Sequence, residues 1–193
     1  MKYLKTFKLF EKKENKKYEY GCAMLYFDFP DVKEIHDKIE KDDIYSKEGF
    51  GIEKESHLTI LFGILSDKIE DDEEIFDTIL KYDIPDLILY NASLFENDDF
   101  DVLKFDVKSK MKDYKKKDDV LFKINKDLTD KFPYKTDYPD YHPHSTICYL
   151  KSNCGKKYIK MLKDLEFEAK PIKIKYSKPN KDGSDKIVKI KKI

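Results

Sequence analysis

Two short stretches hold residues whose types and spacing could do chemistry, His57-Leu58-Thr59 and His144-Ser145-Thr146. Each sets a threonine two residues after a histidine. Each runs on into an apolar stretch, Ile60-Leu61-Phe62 in one case and Ile147-Cys148-Tyr149 in the other. Side chains alternate faces along a strand, so His57 and Thr59 share one face, and His144 and Thr146 do likewise. Leu58, Ile60, Ser145 and Ile147 take the opposite faces. An imidazole, with an unperturbed pKa of ~6.5, can accept or release a proton near neutrality. A threonine hydroxyl can donate to a non-bridging phosphate oxygen and hold it. Two such pairs around one cavity suit cleavage of a ribose phosphodiester by its own 2′-hydroxyl. That reaction needs a base for the nucleophile and an acid for the leaving oxygen. It needs no metal.

The other chemistry-bearing residues read more plainly. His142-Pro143-His144 invites a metal, but zinc wants three or four protein ligands. The chain has 4 His and 3 Cys, and the cysteines are scattered, so neither metal nor cofactor is expected. His142 reads as a loop residue at the rim of the site. Glu55 and Asp140 lie beside the motifs but are separated from the histidines by loop positions, and neither is taken as a ligand. His36 falls among charged neighbours on a helix and reads as solvent-facing. Cys22, Cys148 and Cys154 make no CxxC pair and leave one thiol over, which suits a reducing, cytoplasmic setting.

The elements that must position these residues follow from periodicity. Residues 20–29, 57–64 and 87–95 read as strands, with helices at 32–40 (Val32, Ile35, Ile39) and 71–82 (Ile75, Ile79, Leu80) between them. The second half repeats that order. Strands fall at 101–108, 144–150 and 171–176, with helices at 120–132 (Leu121, Ile124, Leu128) and from Gly155 (Ile159, Leu162, Leu165). A turn at 179–183 leads to a last strand through Ile187, Val188 and Ile190. A His-x-Thr opens the third element of each half. The expectation is one α+β domain over residues 20–193, with antiparallel sheets in two pseudo-symmetric lobes lining a central cleft and helices outside. Residues 1–19, rich in lysine, are expected to be a flexible arm.

Composition narrows the partners. Of 193 residues 40% are charged, yet 27 are Phe or Tyr, enough aromatic bulk for a core. All 39 basic residues are lysine, so no guanidinium fork can grip a phosphate. The 39 acidic residues balance them, and neutrality favours a small ligand with few phosphates over a long nucleic acid. The lysines of the last strand read as guards against edge pairing. No apolar run approaches membrane-spanning length and the first residues do not form a signal peptide, so a cytoplasmic monomer without membrane contact is expected.

Paired H-x-T/S motifs on strands of a duplicated α+β scaffold resemble the two-histidine (2H) phosphoesterase superfamily. Within it, Tyr20-Gly21-Cys22-Ala23-Met24-Leu25-Tyr26-Phe27-Asp28-Phe29-Pro30 followed by His57-Leu58-Thr59-Ile60-Leu61-Phe62-Gly63 is similar to the phage anti-CBASS phosphodiesterases. The likeness extends more thinly over residues 18–190. It implies that His57 and His144 are the acid–base pair, with Thr59 and Thr146 on the phosphate. It implies a substrate as well, the cyclic di- or trinucleotide signals of CBASS antiphage defence. These would be opened at a 3′–5′ linkage by way of a 2′,3′-cyclic phosphate, suppressing that defence in the host cytoplasm. Members stack bases on aromatics that include a Trp, which this chain lacks; Tyr20, and Tyr176 as a second platform, are the residues in position for that role. The same residues also admit a 2′–5′ or 2′,3′-cyclic phosphate RNA phosphodiesterase, and a non-catalytic nucleotide-binding or sequestering module.

Overall fold

The computed structural model describes residues 20–138, 140–180 and 186–193. The expected arm at 1–19, and most of the turn expected at 179–183, lie outside the described residues. The seven strands are β1 (Gly21–Asp28), β2 (His57–Ile64), β3 (Leu87–Glu96), β4 (Phe100–Ser109), β5 (His144–Lys151), β6 (Phe167–Pro179) and β7 (Lys186–Lys192). The helices are α1 (Val32–Asp37), α2 (Glu73–Leu80), α3 (Val120–Lys131) and α4 (Lys156–Leu162). Every ladder is antiparallel. Among the described residues no helix is long and apolar enough to cross a membrane.

The strands run β2-β1-β6-β3-β4-β5, with β7 on β6. Exchanging β1 with β4, β2 with β5 and β3 with β6 reverses that order onto itself. The pseudo-two-fold therefore passes between β6 and β3. The two lobes are thus not the two halves of the sequence. β3 closes the first half in sequence yet pairs with β4 along its whole length. β6 closes the second half yet pairs with β1 through Lys170–Ser177, touching β3 only at Phe167–Ala169. Each third strand crosses to the other lobe. The thirteen-residue β6 belongs to both, so one continuous sheet replaces two. β3 reaches the other lobe by a hairpin to the strand that follows it, and β6 by pairing with the distant β1; local periodicity specifies neither pairing.

The core holds what alternation places there. Leu25, Leu58, Leu87, Leu89, Leu103, Leu150 and Ile174 are fully buried, and so are Ile75, Ile79, Leu121, Ile124 and Leu128 of the helices. Phe76, not Leu80, completes the buried face of α2, since Leu80 is exposed. α1 ends at Asp37, three residues short of the expected length. α3 is the best-capped helix: Asp119 accepts from Leu121 N–H at 2.9 Å and from the backbone N–H and hydroxyl of Ser109 at 3.0 and 2.6 Å. That carboxylate ties the end of β4 to the helix start.

The loops close the molecule reciprocally. The segment before β2 lies along β5, with bridges Ile44↔Leu150 and Ile52↔Cys148 and a bond from Glu53 N–H to Ile147 C=O at 3.0 Å. The segment before β5 lies along β2, through Ile64↔Tyr134 and bonds Leu65 N–H to Pro133 C=O and Lys135 N–H to Gly63 C=O, both 2.9 Å. Gly63 takes φ +92°, and a Cβ there would strike the Lys135 carbonyl; only glycine allows so close a backbone crossing. β2 and β5, at opposite ends of the strand order, are thereby brought against each other.

Candidate active site

The motifs open β2 and β5, and register defines their surroundings. On lobe one, His57 pairs with Tyr26 and Thr59 with Met24 of β1, and these pair in turn with Lys173 and Lys175 of β6. On lobe two, His144 pairs with Asp106 and Thr146 with Lys104 of β4, and these pair with Tyr90 and Ser93 of β3. His57, Thr59, His144 and Thr146 are half-buried, whereas Leu58, Ile60, Ser145 and Ile147 are buried. The motif residues thus occupy the accessible face of each strand. Glu53, four residues before His57, bonds to Ile147, three residues after His144. The loop that leads into His57 is thus pinned to the strand that His144 opens.

Both imidazoles are held in the same way. His57 Nδ1 lies 2.8 Å from the Glu55 carbonyl, and His144 Nδ1 lies 2.8 Å from the His142 carbonyl. A carbonyl only accepts, so each Nδ1 carries a proton, which leaves Nε2 as the exchangeable nitrogen. The residue two places upstream is anchored in turn. Glu55 accepts from Lys173 Nζ at 2.7 Å and Lys175 Nζ at 2.5 Å. Those bonds hold its pKa down to about 2. His142 Nε2 meets Asp106 Oδ1 at 2.9 Å.

The rings differ in their packing. His57 stacks on Tyr26 at 4.9 Å with planes 23° apart, and the Lys175 ammonium lies 3.9 Å from the centre of that tyrosine ring. His144 meets the Phe95 ring edge-on at 5.1 Å. Burial lowers the His144 pKa to about 4, so at neutral pH it is an uncharged imidazole able to take a proton. Burial also raises the Cys22 thiol, which interacts with Thr59, to about 11. It stays protonated and is a poor nucleophile.

Four sequence readings change. Tyr176 is fully buried in the core, its hydroxyl donating to Ser66 Oγ at 2.8 Å, and so offers no face to a base. It alternates with Lys175 and turns to the other side of the sheet. His36 is half-buried rather than solvent-facing, with Nε2 3.2 Å from the Ile147 carbonyl. Glu55 and His142, set aside as bystanders, anchor the two imidazole clamps. Tyr20 is half-buried against Phe62, with centroids 6.2 Å apart, and Phe62 is 39% exposed. Tyr26, Phe95, Lys104, Asp106, Lys173 and Lys175 also adjoin the two motifs or their clamps, which the motifs alone do not indicate. Alternation carries a signal, since Lys173 and Lys175 alternate with Ile174 and Tyr176, and Lys104 and Asp106 flank Phe105 on the same face of their strand.

No family model matches the chain, and no curated protein matches its sequence. Solved structures do match. Kluyveromyces marxianus Usb1 with uridine monophosphate is 12% identical with a TM-score of 0.49, over 88% of this chain and 97% of that one. A protein described as a phosphoesterase is 11% identical with a TM-score of 0.48, over 89% and 98%. E. coli LigT complexed with 3′-AMP is 11% identical with a TM-score of 0.42, over 91% and 96%.

Proposed function

We propose that this chain is a two-histidine phosphodiesterase that cleaves small ribose 3′–5′ diesters without a metal. His57 and His144 are its acid–base pair, and Thr59 and Thr146 bind the phosphate. The observation that carries this reading is the matched pair of clamps. In each lobe an Nδ1–H is donated to the carbonyl two residues upstream, and Nε2 is left on the same accessible face as a threonine hydroxyl. A binder needs neither matched tautomers nor two proton-transfer groups.

Cyclic di- or trinucleotide signals are the substrates that we favour, with suppression of CBASS defence as the consequence. The likeness of the two motifs and of the 20–30 segment to the phage enzymes supports that choice. Lys173 and Lys175 share the single carboxylate of Glu55, which leaves one net positive charge beside the first motif and no long basic stripe, and this suits a compact anion. Tyr20, set against Phe62, is the residue we place under a base.

Pure protein in EDTA should convert 3′,3′-cyclic dinucleotides or cyclic trinucleotides into linear products ending in a 2′,3′-cyclic phosphate. His57→Ala and His144→Ala should each lower turnover about a hundredfold to ten-thousandfold while leaving the urea midpoint in place. Faster turnover of 2′–5′ oligomers or of 2′,3′-cyclic nucleotides in the same panel would move the chain to RNA processing. Tight binding with no turnover would make it a sequestering module.

A further inference from the structure

The pseudo-two-fold superimposes Met24 and Tyr26 of β1 on Lys104 and Asp106 of β4. Met24 faces Thr59 and Tyr26 faces His57, as Lys104 faces Thr146 and Asp106 faces His144. The scaffold repeats at these positions and the chemistry does not. Lys104 and Asp106 are 4% and 7% exposed and form an ion pair at 2.5 Å. A buried ammonium is costly and persists where a partner compensates it. Lys104 also lies 4.9 Å from the centre of the Phe95 ring, and that ring meets His144 at 5.1 Å with planes 87° apart. Asp106 accepts from Asn91 at 2.6 Å and meets His142 Nε2 at 2.9 Å, and the His142 carbonyl holds His144. A continuous set of contacts thus runs from Lys104 through Asp106 and His142 to the second motif.

We propose that Lys104 and Asp106 are positioning residues that make the two histidines unequal, fixing His144 as the proton acceptor and leaving His57 as the donor. This rests on the phosphodiesterase reading of the site. His144 Nε2 takes the proton of the 2′-hydroxyl as the 2′-oxygen bonds to phosphorus. The bond from phosphorus to the 5′-oxygen breaks, and that oxygen takes a proton from the His57 imidazolium. The products are a 2′,3′-cyclic phosphate and a free 5′-hydroxyl, with His144 left cationic and His57 neutral.

The charged and titratable groups around His144 are Lys104 and Asp106 from β4 and His142 from the loop before β5, while β3 contributes the uncharged Phe95 ring. Burial does most to disfavour the imidazolium. The bond to the His142 carbonyl opposes it, the Lys104 charge adds to it, and the Asp106 charge opposes it. Lys104 and Asp106 therefore act on His144 with opposite signs, which yields a two-sided test.

The His144 imidazole C–H resonance should be titrated by NMR in the full chain, in Lys104→Met and in Asp106→Asn, alongside pH profiles of kcat/KM. Lys104→Met installs the residue found at the equivalent place in lobe one. It should raise the His144 midpoint by about one unit and move the acid limb of kcat/KM up with it. Asp106→Asn should move both down. Midpoints that stay fixed, or that move the same way in both variants, overturn the proposal. The titration needs no turnover, so opposite shifts in a protein that cleaves nothing would remove the phosphodiesterase reading and the acceptor and donor roles with it, leaving only the coupling of Lys104 and Asp106 to His144, whereas fixed midpoints in an active enzyme would overturn the positioning claim alone.

Discussion

At the residue scale, what matters is which nitrogen each histidine presents and which hydroxyl stands beside it. Both Nδ1 atoms are spent on carbonyls, so Nε2 is the nitrogen through which His57 and His144 alike can exchange a proton. Ser145 and Thr146 adjoin in sequence and differ in fate. Ser145 is fully buried with its hydroxyl unpartnered, while Thr146 is half-buried on the face of His144. Thr146→Val should lower kcat about tenfold to a hundredfold by removing a donor to the phosphate. Ser145→Ala, which removes an unsatisfied buried hydroxyl, should leave kcat unchanged and the urea midpoint equal or higher. Equal losses of kcat in the two variants would remove the distinction between the faces. The two-residue spacing of each motif made that distinction legible from sequence. The clamps were not legible, because a carbonyl leaves no mark on residue identity and Glu55 and His142 looked like loop charges.

At the scale of elements, alternation located the strands well. The expected spans 57–64 and 144–150 coincide with β2 and β5 to within a residue, because buried Leu58 and Ile60, and buried Ser145 and Ile147, alternate with accessible positions. Their destinations were hidden. β6 crosses between lobes by pairing with the distant β1, β3 crosses by a hairpin to β4 that periodicity assigns to neither lobe, and the reciprocal loops before β2 and β5 have no periodicity to read. Gly63 is the narrowest point of that exchange, with its positive φ and the Lys135 backbone against it. Gly63→Ala should cost more than about 1 kcal/mol in urea unfolding, since both the left-handed conformation and the close crossing are lost. It should also lower kcat, because the loop it holds leads to His144. Gly49→Ala is the control: Gly49 has positive φ too, but its side-chain space is open. A smaller loss there separates backbone strain from the crossing itself.

Across the whole molecule, site electrostatics and acid stability are linked. Burial lowers the pKa of both His144 and His36 below 6.5. An unfolded chain binds those protons as pH falls through about 6.5 and the folded chain does not. The stability they contribute is complete above that pH and is lost as pH falls through the folded values, about 4 for His144. Glu55, held near 2 by Lys173 and Lys175, adds a contribution that is present above 4.5 and lost toward pH 2. The urea midpoint should therefore decline from pH 6.5 downward, and His144→Gln should flatten the upper part of that decline. A midpoint constant between pH 6.5 and 4 would contradict the burial of these rings. Composition foretold a folded, aromatic-rich chain, and the periodicity and duplicated order of elements foretold an α+β fold with two similar lobes. What it withheld is the asymmetry, because Met24 and Lys104 become equivalent only once the strands are paired. The central claim, that two distant imidazoles act on a single phosphate, is tested most directly with a 2′-deoxy 3′,3′-cyclic dinucleotide, which lacks the nucleophile and so binds without being cleaved. Titrated into the full chain while the His57 and His144 imidazole resonances are followed, it should shift both together and saturate both at one equivalent. A shift of one ring alone, or two shifts saturating at different concentrations, would contradict the account.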